Sequence, residues 1–357
     1  VKVESVAVMP ETDALHRILE DGIRAPSADN VHHLRFVPSA HGVQLLSTDL
    51  PTWNAQPHRK ALAMVSYGAV VENMALSSAS LGLSMDVQWM PDPRRPDVMA
   101  VCRWSFAHGE PEPYAAVMAE RHTNRRFYRR EPVPADVRRR IADAGAVPGA
   151  GVSWLDAPVQ RRRALQAIRM AEAERFRRSG LHHEIYSAVR FDVGWRRTAD
   201  EGLPPGALEI EPPMRAAFHA LRRWPLMRVM TMAGLHHALG LRAAWLPCRY
   251  APLLGMVWCD AVGEPWPAFA LGRSLQRAWL ACTSEGLAFQ PLAATLALSH
   301  QHPGGPWVSA RVQQLIRDRV AELGASAAAC LFFRAGWAEP PSVVTARPPI
   351  DRYLAQS

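Results

Sequence analysis

The sequence is short of lysine, of paired cysteines and of long apolar runs, and each shortage argues against a class of protein. Lysine occurs only at Lys2 and Lys60, so the 41 basic residues are almost all arginine. The net charge of +8 therefore rests on planar, always-charged forks rather than on flexible ammonium groups. The five cysteines (Cys102, Cys248, Cys259, Cys282, Cys330) are odd in number, scattered and never spaced C-x-x-C. That argues against both a disulfide framework and a zinc site. No apolar stretch approaches the roughly 20 residues of a membrane span, and the first residues lack the basic-then-apolar pattern of a signal peptide. A cytoplasmic chain with no membrane partner is expected. It opens on Val1 rather than Met, as a trimmed chain or a piece of a longer polypeptide would.

Several motifs are missing as well. There is no G-x-G-x-x-G fingerprint, P-loop or G-x-S-x-G elbow. The pairs His32-His33, His182-His183 and His236-His237 lack H-E-x-x-H spacing or neighbouring cysteines, so no metal is expected. The clusters Arg138-Arg139-Arg140 and Arg161-Arg162-Arg163 fall inside helical patterns, with no helix-turn-helix, zinc finger or RNP-type motif beside them. They read as solvated or anion-attracting faces, and no specific nucleic-acid partner is expected.

What is present is length enough for a large core, and a repeat. Gly68, Leu76, Gly82 and Leu83 match Gly272, Leu280, Gly286 and Leu287 at one constant offset. Each set lies in a segment with apolar or small residues at helical spacing (Val70, Met74, Ser77, Leu81; Leu275, Ala278, Trp279, Cys282) and a glycine where the helix should stop. Each segment is expected to be the central helix of one lobe. Strands are expected at 35–37, 43–46, 84–89, 99–104, 253–258, from 288 onward and at 328–333. Helical patterns between them give a two-lobed α+β chain. The first lobe spans 1–110, closing at the linker Gly109-Glu110-Pro111-Glu112-Pro113, and the second spans 111–357. The second carries an insertion at about 160–245, a lid or pocket wall in one reading and ordinary packing in the other. Its stretch from Leu221 to Leu241 is expected to be helical.

Three groups of residues carry chemistry. In Arg121-x-Thr123-x-Arg125-x-Phe127, alternate positions of an extended segment can point two guanidinium groups and a hydroxyl the same way. Arginine forks match phosphate oxygens, though the same segment also fits a solvated approach to a helix near Pro134. Pro26-Ser27-x-x-Asn30 ends a helix that starts near Asp13, and presents short polar groups there. The second copy of this turn, Pro148-Gly149-Ala150-Gly151, lacks the polar side chains. Arg347, after Thr345-Ala346, is a third candidate phosphate clamp or a solvated tail residue.

With these residues assembled, the chain resembles the nitroreductase superfamily, and within it the Acg-like single-chain branch. The resemblance rests on Ala25-Pro26-Ser27-x-x-Asn30, Arg59-x6-Ser66-x-Gly68-x4-Asn73, Arg121-x-Thr123-Asn124-Arg125-Arg126, Gly272-Arg273-x-Leu275-Gln276-Arg277, Gly286-Leu287-Ala288-x-Gln290-Pro291 and Arg347-Pro348. Asp200-Glu201-Gly202-Leu203-Pro204 and Leu208-Glu209 also look like the nitroreductase-like part of proteins fused to a ThiF-type, E1-like adenylating domain. The resemblance implies an α+β nitroreductase-like fold with two tandem lobes forming a pseudo-dimer, as monomer or homodimer, and one FMN between the lobes. It implies that Arg121, Thr123, Arg125 and Arg347 hold the phosphate end and that Pro26, Ser27 and Asn30 approach from the other lobe. Gln290, Pro291 and Leu292 would sit near the reactive edge of the ring. The family's chemistry is hydride transfer from NADPH or NADH through flavin to an acceptor. Where the family has Asn-x-Gln-Pro-Trp, this chain has Asn30-Val31-His32-His33-Leu34. Flavin sequestration with little turnover, oxidation of a biosynthetic intermediate beside an adenylating domain, and a relict site in an interaction module are the alternatives.

Overall fold

Two long, largely buried helices organise the molecule. The computed structural model describes residues 8–107, 113–260 and 267–355. The first half contains α1 (Thr12–Ile23), β1 (Leu34–Ser39), β2 (Gly42–Ser47), α2 (Leu50–Trp53), α3 (Pro57–Ser80), β3 (Leu83–Trp89) and β4 (Val98–Phe106). The second contains α4 (Ala135–Gly145) and β5 (Ala150–Trp154), then the helices α5 (Pro158–Arg177), α6 (Ser179–Ser187), α7 (Arg215–Ala220), α8 (Trp224–Met232), α9 (Leu235–Gly240) and α10 (Leu246–Tyr250). It continues with β6 (Leu253–Cys259), α11 (Pro267–Ser284), β7 (Ala288–Leu292), α12 (Ala294–His300), α13 (Ala310–Ala321) and β8 (Cys330–Gly336). The expected mixed α and β character is present. The expected linker at 109–113 lies, apart from Pro113, outside the described residues.

The strands form two four-stranded antiparallel sheets, ordered β1-β2-β4-β3 and β5-β6-β8-β7. In each, a long helix links the second and third strands in sequence: α3 in the first, α11 in the second. Every residue of α3 from Met64 to Met74 is buried, and α11 packs along it. The close crossing depends on the two glycines of the repeat. A Cβ at Gly68 would stand 2.1 Å from the Phe269 carbonyl oxygen, and one at Gly272 would stand 1.9 Å from that of Val65. Each glycine thus meets the residue three positions before the other. Beside the crossing, Glu72 is buried and accepts from Arg273 Nε (2.7 Å) and Arg277 Nη1 (2.8 Å), while Gln276 Nε2 donates to Asn73 Oδ1 (2.6 Å). The polar residues of the quoted motifs here hold helix to helix.

The two sheets differ at one hairpin. Ala40-His41 alone join β1 to β2, whereas residues 155–252, six helices among them, join the antiparallel neighbours β5 and β6. The insertion expected at 160–245 falls within that connection. The expected single helical run from Leu221 to Leu241 is instead α8 and α9, separated at Gly234, whose φ of +85° ends one helix before the next begins. Pro148-Gly149, the turn without polar side chains, has a structural role. It belongs to a tight reversal, Val147 paired with Ala150, that feeds directly into β5, a strand the pattern of alternation did not reveal. The chain's last described residues return to the first half, where Leu354 bridges Phe36 of β1.

Candidate functional site

The end of α1 sets the geometry. Pro26 disfavours helical backbone at the residue before it, so the helix stops at Ile23 and leaves the carbonyls of Ile23, Arg24 and Ala25 without helical partners. Side chains from three distant places take them. Arg347 donates from Nε to Ile23 (2.8 Å) and from Nη2 to Ala25 (2.6 Å). Arg121 donates from Nη2 to Arg24 (2.8 Å), and His32 Nε2 lies 3.0 Å from the Ile23 oxygen and 3.2 Å from that of Ala25. Positive and donor groups belong at a helix C-terminus. The His32-His33 departure from the family pattern therefore has a concrete role: the buried His32 caps α1 and meets Tyr353 edge-on at 6.2 Å.

Beyond this cap lies a cavity of about 1230 Å³. All of the sequence-derived site residues line it: Pro26, Ser27 and Asn30 from the first half, Arg121, Thr123 and Arg125 from the connection, and Gln290, Pro291, Leu292 and Arg347 from the second. The connection reaches them by lying along the free edge of β7. Thr123 bridges Phe289 in parallel, and Asn124 N–H donates to the Phe289 carbonyl at 2.9 Å.

The electrostatics are one-sided at this end. Among the described residues, Arg121, Arg125 and Arg347 have no carboxylate within ion-pair distance, whereas the neighbouring Arg126 and Arg175 do. Burial, helped by the charge of Arg347, presses the Arg121 guanidinium down to about 9. Burial presses Arg125 and Arg347 down to about 10, and burial with the charges of Arg121 and Arg347 takes His122 down to about 4. These arginines stay protonated at neutral pH, so the cavity wall carries positive charge that no carboxylate touches, with Asp29 acting on Arg125 from further off. Arg121 lies over the Trp279 ring at 4.3 Å, and its Nε is buried without an acceptor; the Ser27 hydroxyl is equally buried and unpartnered.

Besides Arg121 and Arg347, three more site residues are already engaged. Arg125 Nη1 donates to the Ala207 carbonyl (3.0 Å), which fastens the insertion to this wall. Asn30, expected to present its amide to a ligand, instead directs Nδ2 to the carbonyls of Asp200 (3.1 Å) and Ala346 (3.3 Å). Asp29 and Asn30 hold φ of 54° and 61°, a left-handed pair without glycine that this tie helps to fix. Asp29 faces the cavity, and its carboxyl is raised by burial, with Arg175 opposing and Glu184 adding to the shift. Gln290 Oε1 accepts from Nε of the fully buried Arg334 (2.7 Å).

Nothing in the sequence pattern gives Trp279, Arg334 or Asp29 a place at the site. Nor does that pattern show how much wall the insertion supplies. Phe176, Ile185, Phe218, Leu226, Met230 and Leu239 line the part of the cavity away from the α1 cap. Among the described residues no cluster of His, Cys, Asp and Glu could hold a metal ion.

No protein-family model matches the chain. No curated protein matches it either. Among solved structures it is similar to an FMN-dependent nitroreductase from Mycobacterium smegmatis in complex with NADPH, at 17% identity and a TM-score of 0.37, over 68% of this chain and 98% of that one. It is also similar to a nitroreductase with bound FMN from Bacteroides fragilis, at 13% identity and a TM-score of 0.33, over 66% of this chain and 94% of that one. At such scores neither likeness assigns a function.

Proposed function

We propose that this chain is an FMN-binding oxidoreductase of nitroreductase type, a single-chain pseudo-dimer with one composite site between its lobes. The observation that carries the reading is the set of three cavity-lining guanidinium groups, the buried Arg121 and the half-buried Arg125 and Arg347, none in ion-pair contact with a carboxylate. Such a set fits a dianionic phosphate, and the unpartnered Arg121 Nε and Ser27 hydroxyl are donors for it. The pseudo-dimer is supported by the equal strand order of the two sheets and by the reciprocal contacts of Gly68 and Gly272.

Bound FMN would supply two-electron chemistry between a reduced nicotinamide and an acceptor. The chain's own residues bind and orient. Arg121, Thr123, Arg125 and Arg347 take the phosphate end. Pro26 and Ser27 form the facing wall, and Asn30 braces that wall by tying it to Asp200 and Ala346. Arg334 fixes the Gln290 side chain beside Pro291 and Leu292 at the other end. The apolar side chains of the insertion, Phe176, Ile185, Phe218 and Leu239 among them, limit water in the space between.

The test is the visible spectrum of the purified protein before and after FMN is added and the excess removed. A retained flavin spectrum is expected; a colourless protein that takes up no FMN leaves the relict interaction module instead. The second reading, flavin sequestration, is favoured by the insertion that walls the cavity. Rapid anaerobic bleaching of the bound flavin by NADPH or NADH would exclude it. Slow bleaching would favour it, or else oxidation of an intermediate delivered by a ThiF-like adenylating partner.

A further inference from the structure

From Pro212 to Cys259 the sequence holds six arginines and no aspartate or glutamate. Exposed apolar side chains concentrate in the same stretch. Of the eleven large hydrophobic residues exposed among the described residues, six fall in it: Met214, Leu226, Val229, Met230, Met232 and Tyr250. The helix α8 is two-sided. Met227 is fully buried and anchors it on a satellite cluster with Phe176, Tyr186 and Leu221. On its outer side Leu226, Val229 and Met230 follow at i, i+3 and i+4, with Met232 79% exposed at the end. Arg222, Arg223 and Arg228 are exposed around this stripe, and among the described residues none has an ion-pair partner.

An exposed helix on an ordinary solvated surface carries carboxylates among its arginines and few contiguous apolar groups. A surface of uncompensated arginine around an apolar stripe is instead the pattern of a helix lying in a membrane interface. We propose that α8 and its flanks dock on an anionic phospholipid bilayer. An acidic protein would match the arginines alone, whereas a bilayer answers both features: headgroup phosphates for Arg222, Arg223 and Arg228, acyl chains for Val229, Met230 and Met232. The contact is interfacial, because no described helix is long and apolar enough to cross a membrane. Leu226 and Met230 belong to the stripe and also line the cavity, with Phe218, Leu235 and Leu239 behind them. Docking therefore sets an apolar side of the cavity against the lipid, where a lipid-soluble ligand is concentrated. This inference does not depend on flavin binding.

The experiment is sedimentation of the protein with vesicles of phosphatidylcholine alone and of an equal mixture with phosphatidylglycerol, at low and at moderate salt. Sedimentation with the mixed vesicles only, weakened by salt, is expected. Replacing Arg222, Arg223 and Arg228 together by Gln should lower partition on the order of a hundredfold. Val229→Ser with Met232→Ser should lower it about tenfold or more at unchanged charge. All five side chains are exposed, so unchanged melting temperatures are expected. No sedimentation with mixed vesicles at low salt overturns the proposal. So does loss in the arginine variant with none in the Val229 and Met232 variant, which is the signature of an acidic protein or other polyanion.

Discussion

Three donors converge on the carbonyls at the end of α1, and that duty limits what each can offer a ligand. Arg347 commits Nε and Nη2 there and Arg121 commits Nη2, which leaves the Arg121 Nε as the buried donor without an acceptor. Arg121→Ala should weaken FMN binding by about 1.5–3 kcal/mol, roughly ten- to a hundredfold, measured by calorimetric titration. Unchanged affinity would remove Arg121 from the phosphate clamp. The ligand-free variant should also melt earlier, because the Arg24 carbonyl loses its partner. His32 carries a pH dependence. Burial, with the charge of Arg347, lowers it from 6.5 to about 3, so it is neutral in the folded protein. Its stabilising contribution is complete above about 6.5 and is lost as pH falls toward 3. By linkage the loss at pH 4 is about 3 kcal/mol. Melting temperatures at pH 7, 5.5 and 4 should fall, and His32→Gln, which keeps a donor but cannot titrate, should flatten the fall. An equally steep fall in that variant would place the acid sensitivity elsewhere.

The elements show where sequence patterns inform and where they fail. The two central helices were legible because their glycines are required by backbone contact, and a requirement of that kind leaves the same residue at the same place in both halves. Gly68→Ala should push α3 and α11 apart at Phe269 and Gly272→Ala at Val65. Each should cost about 1–3 kcal/mol after the gain in helix propensity, measured by denaturant unfolding. The double variant should cost less than the two summed, since once the helices have separated the second methyl finds room. Strict additivity would mean that the two contacts do not share one crossing. By contrast β5 was missed: Ala150-Gly151-Val152-Ser153-Trp154 is short, holds a glycine and follows Pro-Gly. Only its pairing with β6 makes it a strand. The break between α8 and α9 was missed because a single glycine inside an apolar run reads as tolerated until its backbone angle is known.

At the scale of the molecule, the two sheets share a strand order but only one hairpin grew into a wall. The loop at Pro148-Gly149 has no counterpart of Ser27 or Asn30, so equilibrium dialysis should find near one FMN per chain. Two per chain would mean that the second half also builds a site. The proposed phosphate residues can be named from the sequence because phosphate chemistry limits the choice of side chain, and Arg121, Thr123, Arg125 and Arg347 line one cavity. Its second-layer supports were not readable. Arg334, Trp279 and the carbonyls that occupy Asn30 matter through contacts between residues far apart in sequence.

The cap on α1 joins residues at opposite ends of the chain: Ile23 and Ala25 are held by Arg347, across sequence separations of 324 and 322. Few pairings in a protein this size close a longer loop, and the entropy of that closure is met only after the intervening helices and sheets have formed. On a ribosome, α1 emerges long before Arg347, and its last carbonyls lack that partner until the segment from Val343 to Pro349 has been made. A ligand that needs Arg347 can therefore bind only after the stretch between α1 and Arg347 has folded.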